Sequence, residues 1–396
     1  MTEDKEQPKL KPASENIWYA LATIAGEPEN SNDPIIEKNR YYWNGYMYKH
    51  IAKNERDILF DSSGKEVLFL GISHLDIKHI RSCLDERGFK NEELPDMNKG
   101  IDFSKTKFST LVSFNRFVFP KPANFYNSEF RNAVDFEQAI FIGVANFNEA
   151  IIDGIISFQG AIFKRAALFN DTYFSSIVDF RASQFATTTG FQDANFTSHP
   201  PGFFDASVSE DIDWTDAMFP GWRYKFNENA MEKMVKRQKA VKHKKAYERL
   251  ALMMSKLEKT HDRHMFFQHE MRARRQLDTG LRKIPSRAMN WLYDKSCGYG
   301  YGFGRALTLW SIHIVLGAGL LFIPTPHNWA GFVNSVATSF ANAHSFLGLS
   351  RGPLKTVYAD YAKWDLFNVI WMFQGLFGIM FLFFLILTIR NRFKMG

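Results

Sequence analysis

A chain of 396 residues exceeds one ordinary domain, so several modules are expected. Its 39 Phe residues demand repeated ring stacking or membrane burial, because exposed Phe at that density would aggregate. The net charge of +7 is local, since residues 101–220 hold 14 Asp/Glu against 8 Lys/Arg while residues 222–305 hold 8 against 21. Cys83 and Cys297 are far apart and have no metal-ligand spacing, so neither a disulfide framework nor a zinc site is suggested and a reducing compartment fits.

The opening MTEDKEQPKLK is charged and lacks an apolar h-region, so no cleavable signal is expected and the N-terminal region is expected to stay in the cytoplasm. Residues 1–100 read as a mixed cap region. Apolar or aromatic runs occupy Asn16–Ala25, Tyr41–Ile51 and Val67–Leu75, with a helix near Ser73–Glu86 and no catalytic constellation.

From Phe103, large apolar residues recur at alternating steps of five and six, ending at Phe219. One residue is inserted at His199-Pro200-Pro201-Gly202, and 19 of the 22 slots are Phe. Two residues before the second Phe of each unit stands a small residue, such as Thr106, Ser128 or Ala139, with Phe117 as the exception. Asp or Asn often precedes the first Phe, as at Asp102, Asn124, Asp135, Asn146, Asp179 and Asp213, which suits a turn that bonds its own backbone. An 11-residue period also describes a right-handed helical supercoil. At about 100° per residue, however, steps of five and six put the two Phe sets on separate faces, and Thr187-Thr188-Thr189, Gly190 and Pro200-Pro201 are poor helix formers.

Units such as Val134-Asp135-Phe136-Glu137-Gln138-Ala139-Ile140-Phe141 and Val178–Phe185 resemble the pentapeptide-repeat family, in its variant with one extra residue every second repeat. The resemblance implies a right-handed quadrilateral β-helix over 101–221, with about five and a half coils and a length of roughly 26 Å at the spacing of paired strands. The open ends of such a rod need caps, for which residues 1–100 and the helices after Gly221 are available. Asn16–Thr23 and Asn39–Asn44 resemble the N-terminal cap of membrane-attached members, and Met265–Arg275 resembles their helical linker.

Residues 222–295 read as a basic helical linker. Met231, Met234, Val235, Val241, Leu250, Met253, Met254 and Leu257 recur at helical spacing, and a polar break at Lys259–Asp262 precedes a second helix over Arg263–Leu277, which suggests an αα-hairpin. His261, His264, His269 and Glu270 lie close in sequence, but His264 and His269 are five apart, and zinc-binding helix pairs need four. A solvated basic face is the reading adopted, with anionic lipid headgroups as its partner. Ser286–Lys295 is expected to lie as an interfacial helix.

In residues 296–396, Ala306–Ile323 and Leu366–Ile389 carry no formal charge over 18 and 24 residues. They span roughly 27 and 36 Å, enough to cross a bilayer core. Lys and Arg predominate before the first and after the second, so the positive-inside rule places both termini in the cytoplasm and the chain in the inner membrane. Between them, Trp329–Phe346 is apolar yet carries Asn334, Ser335, Thr338, Asn342 and His344, and reads as a re-entrant half-helix.

This order of segments resembles two-transmembrane ion channels, which implies a homotetramer. A filter would fall at Ser345, Phe346, Leu347, Gly348 and Leu349, where only the glycine matches the potassium pattern, so potassium selectivity is not expected. Gly298-Tyr299-Gly300 precedes the first span and matches the Tyr-Gly turn of related membrane proteins instead. Gln374, Gly378, Phe381 and Leu385 share one face of the second span, either lining a pore or packing helices together.

No nucleophile–base pair, Walker loop or dinucleotide fingerprint appears, so neither an enzyme nor a cofactor or metal is expected. The leading expectation is a channel-like membrane protein whose cytoplasmic solenoid senses or docks a protein partner. A non-conducting membrane-anchored scaffold is the alternative. The acidic repeat region also allows mimicry of DNA, a third and weaker reading, and nucleic acid itself is not an expected partner.

Overall fold

The computed structural model describes residues 10–59, 74–90, 94–221, 230–278, 281–323, 327–344, 358 and 365–393. The chain divides into two compact units, Met1–Glu232 with Lys242–Asp262, and Lys233–Val241 with Arg263–Gly396. Residues of the basic stretch 222–295 are shared between them.

The first unit is a β-solenoid. Strands of two or three residues form four parallel sheets among the described residues. Ile101, Ala123, Ala145, Ala167, Thr189 and Ile212 stand above one another, which makes five turns. Phe rings stack on rings one turn away: Phe103 on Phe125 at 4.9 Å and 7°, Phe125 on Phe147 at 4.6 Å and 5°, and Phe141 on Phe163 at 4.9 Å and 2°. Offset parallel rings at this separation are a favoured aromatic geometry, and all these rings are fully buried. The small slots are buried as well, with Ala139, Ala150, Ala161 and Ser183 at 0% exposure, because a larger side chain there would displace the rings.

One corner of every 11-residue unit is a tight turn. Ala139 N–H donates to Phe136 C=O at 3.0 Å, and Gln138, third in the turn, has φ 56°. A positive φ at that place is what a type II turn requires. The same position carries positive φ in every unit, from Lys105 through Gly160 to Asp216. The residue before the first Phe supports the corner: Asp135 Oδ1 accepts from Glu137 N–H at 2.8 Å, and Asp102, Asn124, Asn146, Asp179 and Asp213 do the same two residues on. The inserted residue at 199–202 is visible as Asp179 pairing with Gly202, and the Phe180–Phe203 stack tilts to 32° where Phe158–Phe180 lies at 9°.

Both ends are covered. Helices α1 (Ile17–Ala22), α2 (Ile35–Tyr48) and α3 (His74–Glu86) gather at the N-terminal end, where Lys11–Pro12 also pairs with Thr106–Lys107. Trp43, fully buried, stacks against Phe117 at 5.2 Å. Phe117 thus fills the one large slot in the small-residue series because a cap ring lies beside it. At the other end the part of α4 (Ala230–Lys256) in this unit brings Tyr247 to 6.1 Å from Phe219, and Lys259 Nζ donates to Ile212 C=O at 2.6 Å.

The second unit is helical: α5 (Thr260–Leu277, from Arg263 on), α6 (Ile284–Cys297), α7 (Phe303–Phe322), α8 (Trp329–Ala343) and α9 (Asp365–Phe393). Helices α7 and α9 are long and apolar enough to cross a membrane, and only 22% of each apolar window is buried. The core helix of a soluble domain would instead be covered on most sides.

Candidate functional site

Helix α8 is the element that sets this unit apart from a pair of apolar helices. Asn328 caps it by accepting from Gly331 N–H at 2.8 Å, and it ends at His344 after 15 residues. At 1.5 Å per residue that is roughly 22 Å, short of a bilayer core.

Ser335, Thr338, Ser339 and Asn342 fall at i, i+3, i+4 and i+7, so they form one face, and all four are buried. That face meets the other two helices through hydrogen bonds. Gln374 Nε2 donates to Ser339 Oγ at 2.7 Å, and Ser339 Oγ donates to Ile314 C=O on α7 at 2.7 Å. Asn342 Nδ2 donates to Gln374 Oε1 and to Trp371 C=O, each at 3.0 Å. His313 Nε2 donates to Gln374 C=O at 2.8 Å. Near the far end, Tyr358 Oη donates to Leu321 C=O at 3.2 Å and lies 3.5 Å from Ser335 Oγ. Two groups of buried polar contacts therefore tie α8 to the apolar helices α7 and α9 and to Tyr358.

Two glycines allow the approach. A Cβ on Gly317 would fall 1.9 Å from Gln374 Nε2, and one on Gly378 would fall 2.4 Å from Ala343 Cα. Small residues at such crossings let backbones come together where lipid-like surroundings offer no hydrophobic drive.

Gln374, Gly378, Phe381 and Leu385 do share a face of α9. Gln374 and Gly378 turn toward α7 and α8, Phe381 lies 5.5 Å from the His313 ring, and Leu385 packs on the cluster of Cys297, Ala306 and Phe384. Of the polar residues noted in α8, Asn334 is exposed, apart from these contacts. Ser345, Phe346, Leu347, Gly348 and Leu349 lie outside the described residues. His313, Gly317, Ser339 and Tyr358 were not singled out by sequence reasoning. A histidine inside an uncharged span was the available signal.

At the other end of α7, Gly298, Tyr299 and Gly300 have φ 51°, 54° and 92°, and reverse the chain between α6 and α7. Tyr299 Oη donates to Asn290 Oδ1 at 2.5 Å, which braces this left-handed turn. Asp294 of α6 receives Arg272 at 3.0 Å and Arg275 at 3.3 Å. Burial, followed by the Arg272 charge, lowers the His269 pKa to about 4, and burial raises the Cys297 thiol to about 11. His264 pairs through Nε2 with Tyr301 Oη at 2.7 Å. Among the described residues no group of His, Cys, Asp and Glu is placed to hold a metal ion.

A family model of pentapeptide repeats (9 copies) matches residues 114–161, within the solenoid. No curated protein matches the chain. No solved structure matches it either. Fold and match together define a protein with a pentapeptide-repeat β-solenoid and two helices able to cross a membrane.

Proposed function

We propose that the chain is a non-enzymatic integral protein of the inner membrane, in which α7 and α9 are the spans, α8 is a re-entrant half-helix, and both termini are cytoplasmic. On this reading the solenoid, a right-handed quadrilateral β-helix, docks or senses a cytoplasmic protein and controls a channel-like pore built by a homotetramer. The orientation follows from Arg282, Lys283, Arg287, Lys295 and Arg305 before α7 and Arg390, Arg392 and Lys394 at the end of the chain.

The observation that carries the reading is α8. A helix too short to span, seated against two apolar helices by a buried polar face, is the arrangement that tolerates irregular backbone at membrane depth. Purified protein in a planar bilayer should pass ions with little preference for potassium over sodium, and Phe346→Ser should raise conductance by removing an apolar constriction. Silence of both forms in a folded tetramer, or a monomer in nanodiscs, would remove the pore.

The competing reading is a non-conducting, membrane-anchored scaffold. Gln374 favours it, because its amide is bonded to Ser339 and Asn342 within one chain rather than facing away from it. Charge-changing variants of Gln374 that alter folding but not current would support this alternative.

A further inference from the structure

Three arginines from three helices stand around the elbow between α6 and α7. Arg305, in the first turn of α7, folds back so that Nη2 lies 3.0 Å from the Cβ position of Gly298, and Nε lies 3.2 Å from that of Gly302. Arg390, near the end of α9, donates through Nη2 to Asn391 Oδ1 at 3.5 Å, and Asn391 Nδ2 in turn donates to Gly300 C=O at 3.0 Å. Arg263 of α5 precedes His264, whose ring stacks on Tyr301 with centroids 3.8 Å apart. Burial raises the Tyr301 pKa, while the nearby charges of Arg263 and Arg390 oppose that rise.

All three arginines are exposed, and among the described residues none forms an ion pair with a carboxylate. Asp294, the acid of α6, is occupied by Arg272 and Arg275. Gathering three like charges beside an apolar segment is unfavourable unless a counter-charge joins them. The guanidinium fork suits a phosphate oxygen pair better than a point anion. The place also matters, for the apolar windows Phe303–Phe322 and Phe367–Asn391 begin and end here, and Tyr293 and Tyr299 bring two amphipathic rings within 5.4 Å of each other at the same level.

We propose that Arg263, Arg305 and Arg390 form a binding site for a phosphate-bearing anion, supplied by the headgroup of an anionic phospholipid. The site rests on α7 and α9 being spans, not on conduction. One headgroup held by α5, α7 and α9 together ties the juxtamembrane helix to both spans.

The test uses the full chain in an uncharged detergent, with short-chain phosphatidylglycerol, short-chain phosphatidylcholine and inorganic phosphate as separate probes. Phosphatidylglycerol should bind and raise the unfolding midpoint, and phosphatidylcholine should not. Binding should weaken about fivefold for each arginine removed in Arg263→Gln, Arg305→Gln and Arg390→Gln. A triple variant of equal charge change on the solenoid, Lys105→Gln with Lys164→Gln and Arg165→Gln, should bind as the unaltered chain does. Equal loss in both triple variants, or equal binding of phosphatidylcholine, overturns the site. Equal binding of inorganic phosphate overturns the lipid as its source. Extraction of the chain from membranes by alkaline carbonate would instead defeat the span reading, and that result is read independently of any lipid probe.

Discussion

Asn44 meets the first coil of the solenoid as a neighbouring strand would: its Oδ1 accepts from Val118 N–H at 2.9 Å, and its Nδ2 donates to Arg116 C=O at 3.0 Å. Trp43 Nε1 completes the edge by donating to Val118 C=O at 2.8 Å. Two adjacent side chains of α2 thus satisfy backbone groups that would otherwise template another chain.

Replacing Asn44 with Ala should leave the Val118 N–H and Arg116 C=O unpaired, at a cost of about 1–3 kcal/mol confined to the first coil. Amide exchange over 101–119 should accelerate by about one to two orders of magnitude while later coils keep their protection. Uniform exchange in variant and parent would show that the cap bonds carry no stability.

Phe136 lies between Phe114 at 4.8 Å and Phe158 at 5.1 Å and is fully buried, whereas Glu137 beside it is partly exposed at the corner. Phe136→Asp should therefore lose at least about 3–5 kcal/mol by removing a core ring and burying a charge. Glu137→Lys should be tolerated. Limited proteolysis of the solenoid compares them, and equal resistance would refute the register.

Gly317 and Gly319 are two residues apart on α7, but a Cβ on Gly319 would meet nothing within 4 Å. Gly317→Ala should force the Gln374–Ser339 bond apart and cost about 1–3 kcal/mol, while Gly319→Ala should be neutral or gain up to about 1 kcal/mol in helix propensity. Thermal unfolding in detergent reads both. A tolerated Gly317→Ala would mean that these polar contacts are looser than their distances.

His269 is depressed by burial and by Arg272 to about 4, below the usual value near 6.5. As pH falls below about 6.5 the unfolded chain takes up a proton that the folded helix excludes, so stability is present above that pH and declines down to about 4. The slope has an upper bound of roughly 1.4 kcal/mol per pH unit. Amide exchange in α5 and α6, corrected for intrinsic rate, should show the decline, and His269→Gln should flatten part of it. An unchanged slope in that variant would show that His269 is not the source of the decline.

With Cys83 and Cys297 changed to Ser, a Cys placed at Thr356 should react with an impermeant reagent added to intact cells, and a Cys placed at Met395 should not. Reaction at Met395 would reverse the orientation.

The solenoid was legible because its forces are periodic: a ring every fifth or sixth residue, a small partner, and an Asx residue before the corner. The left-handed corner position was only partly so, since Asn127, Gly160, Asp171, Asp193, Asp205 and Asp216 suit it whereas Lys105, Arg116, Gln138, Glu149 and Ala182 do not. Backbone bonds between coils impose that conformation on residues that do not prefer it. In the apolar unit the period gave the face shared by Gln374 and Gly378. It did not give the direction of that face, because helical spacing says which side chains stand together and nothing about the helix they meet. His313 and Gly317 were missed for the same reason, each being defined by a partner distant in sequence.

The alignment of Ala123, Ala145 and Ala167 also makes the rod a ruler. Excising one full turn, 22 residues, would rejoin matching faces and leave each remaining ring column continuous. Excising 11 would advance everything downstream by half a turn, setting the Val134 sheet beneath the Ala145 sheet. Length in such a protein can therefore change by whole turns through duplication or loss, each about 4.8 Å, without redesign of either capped end.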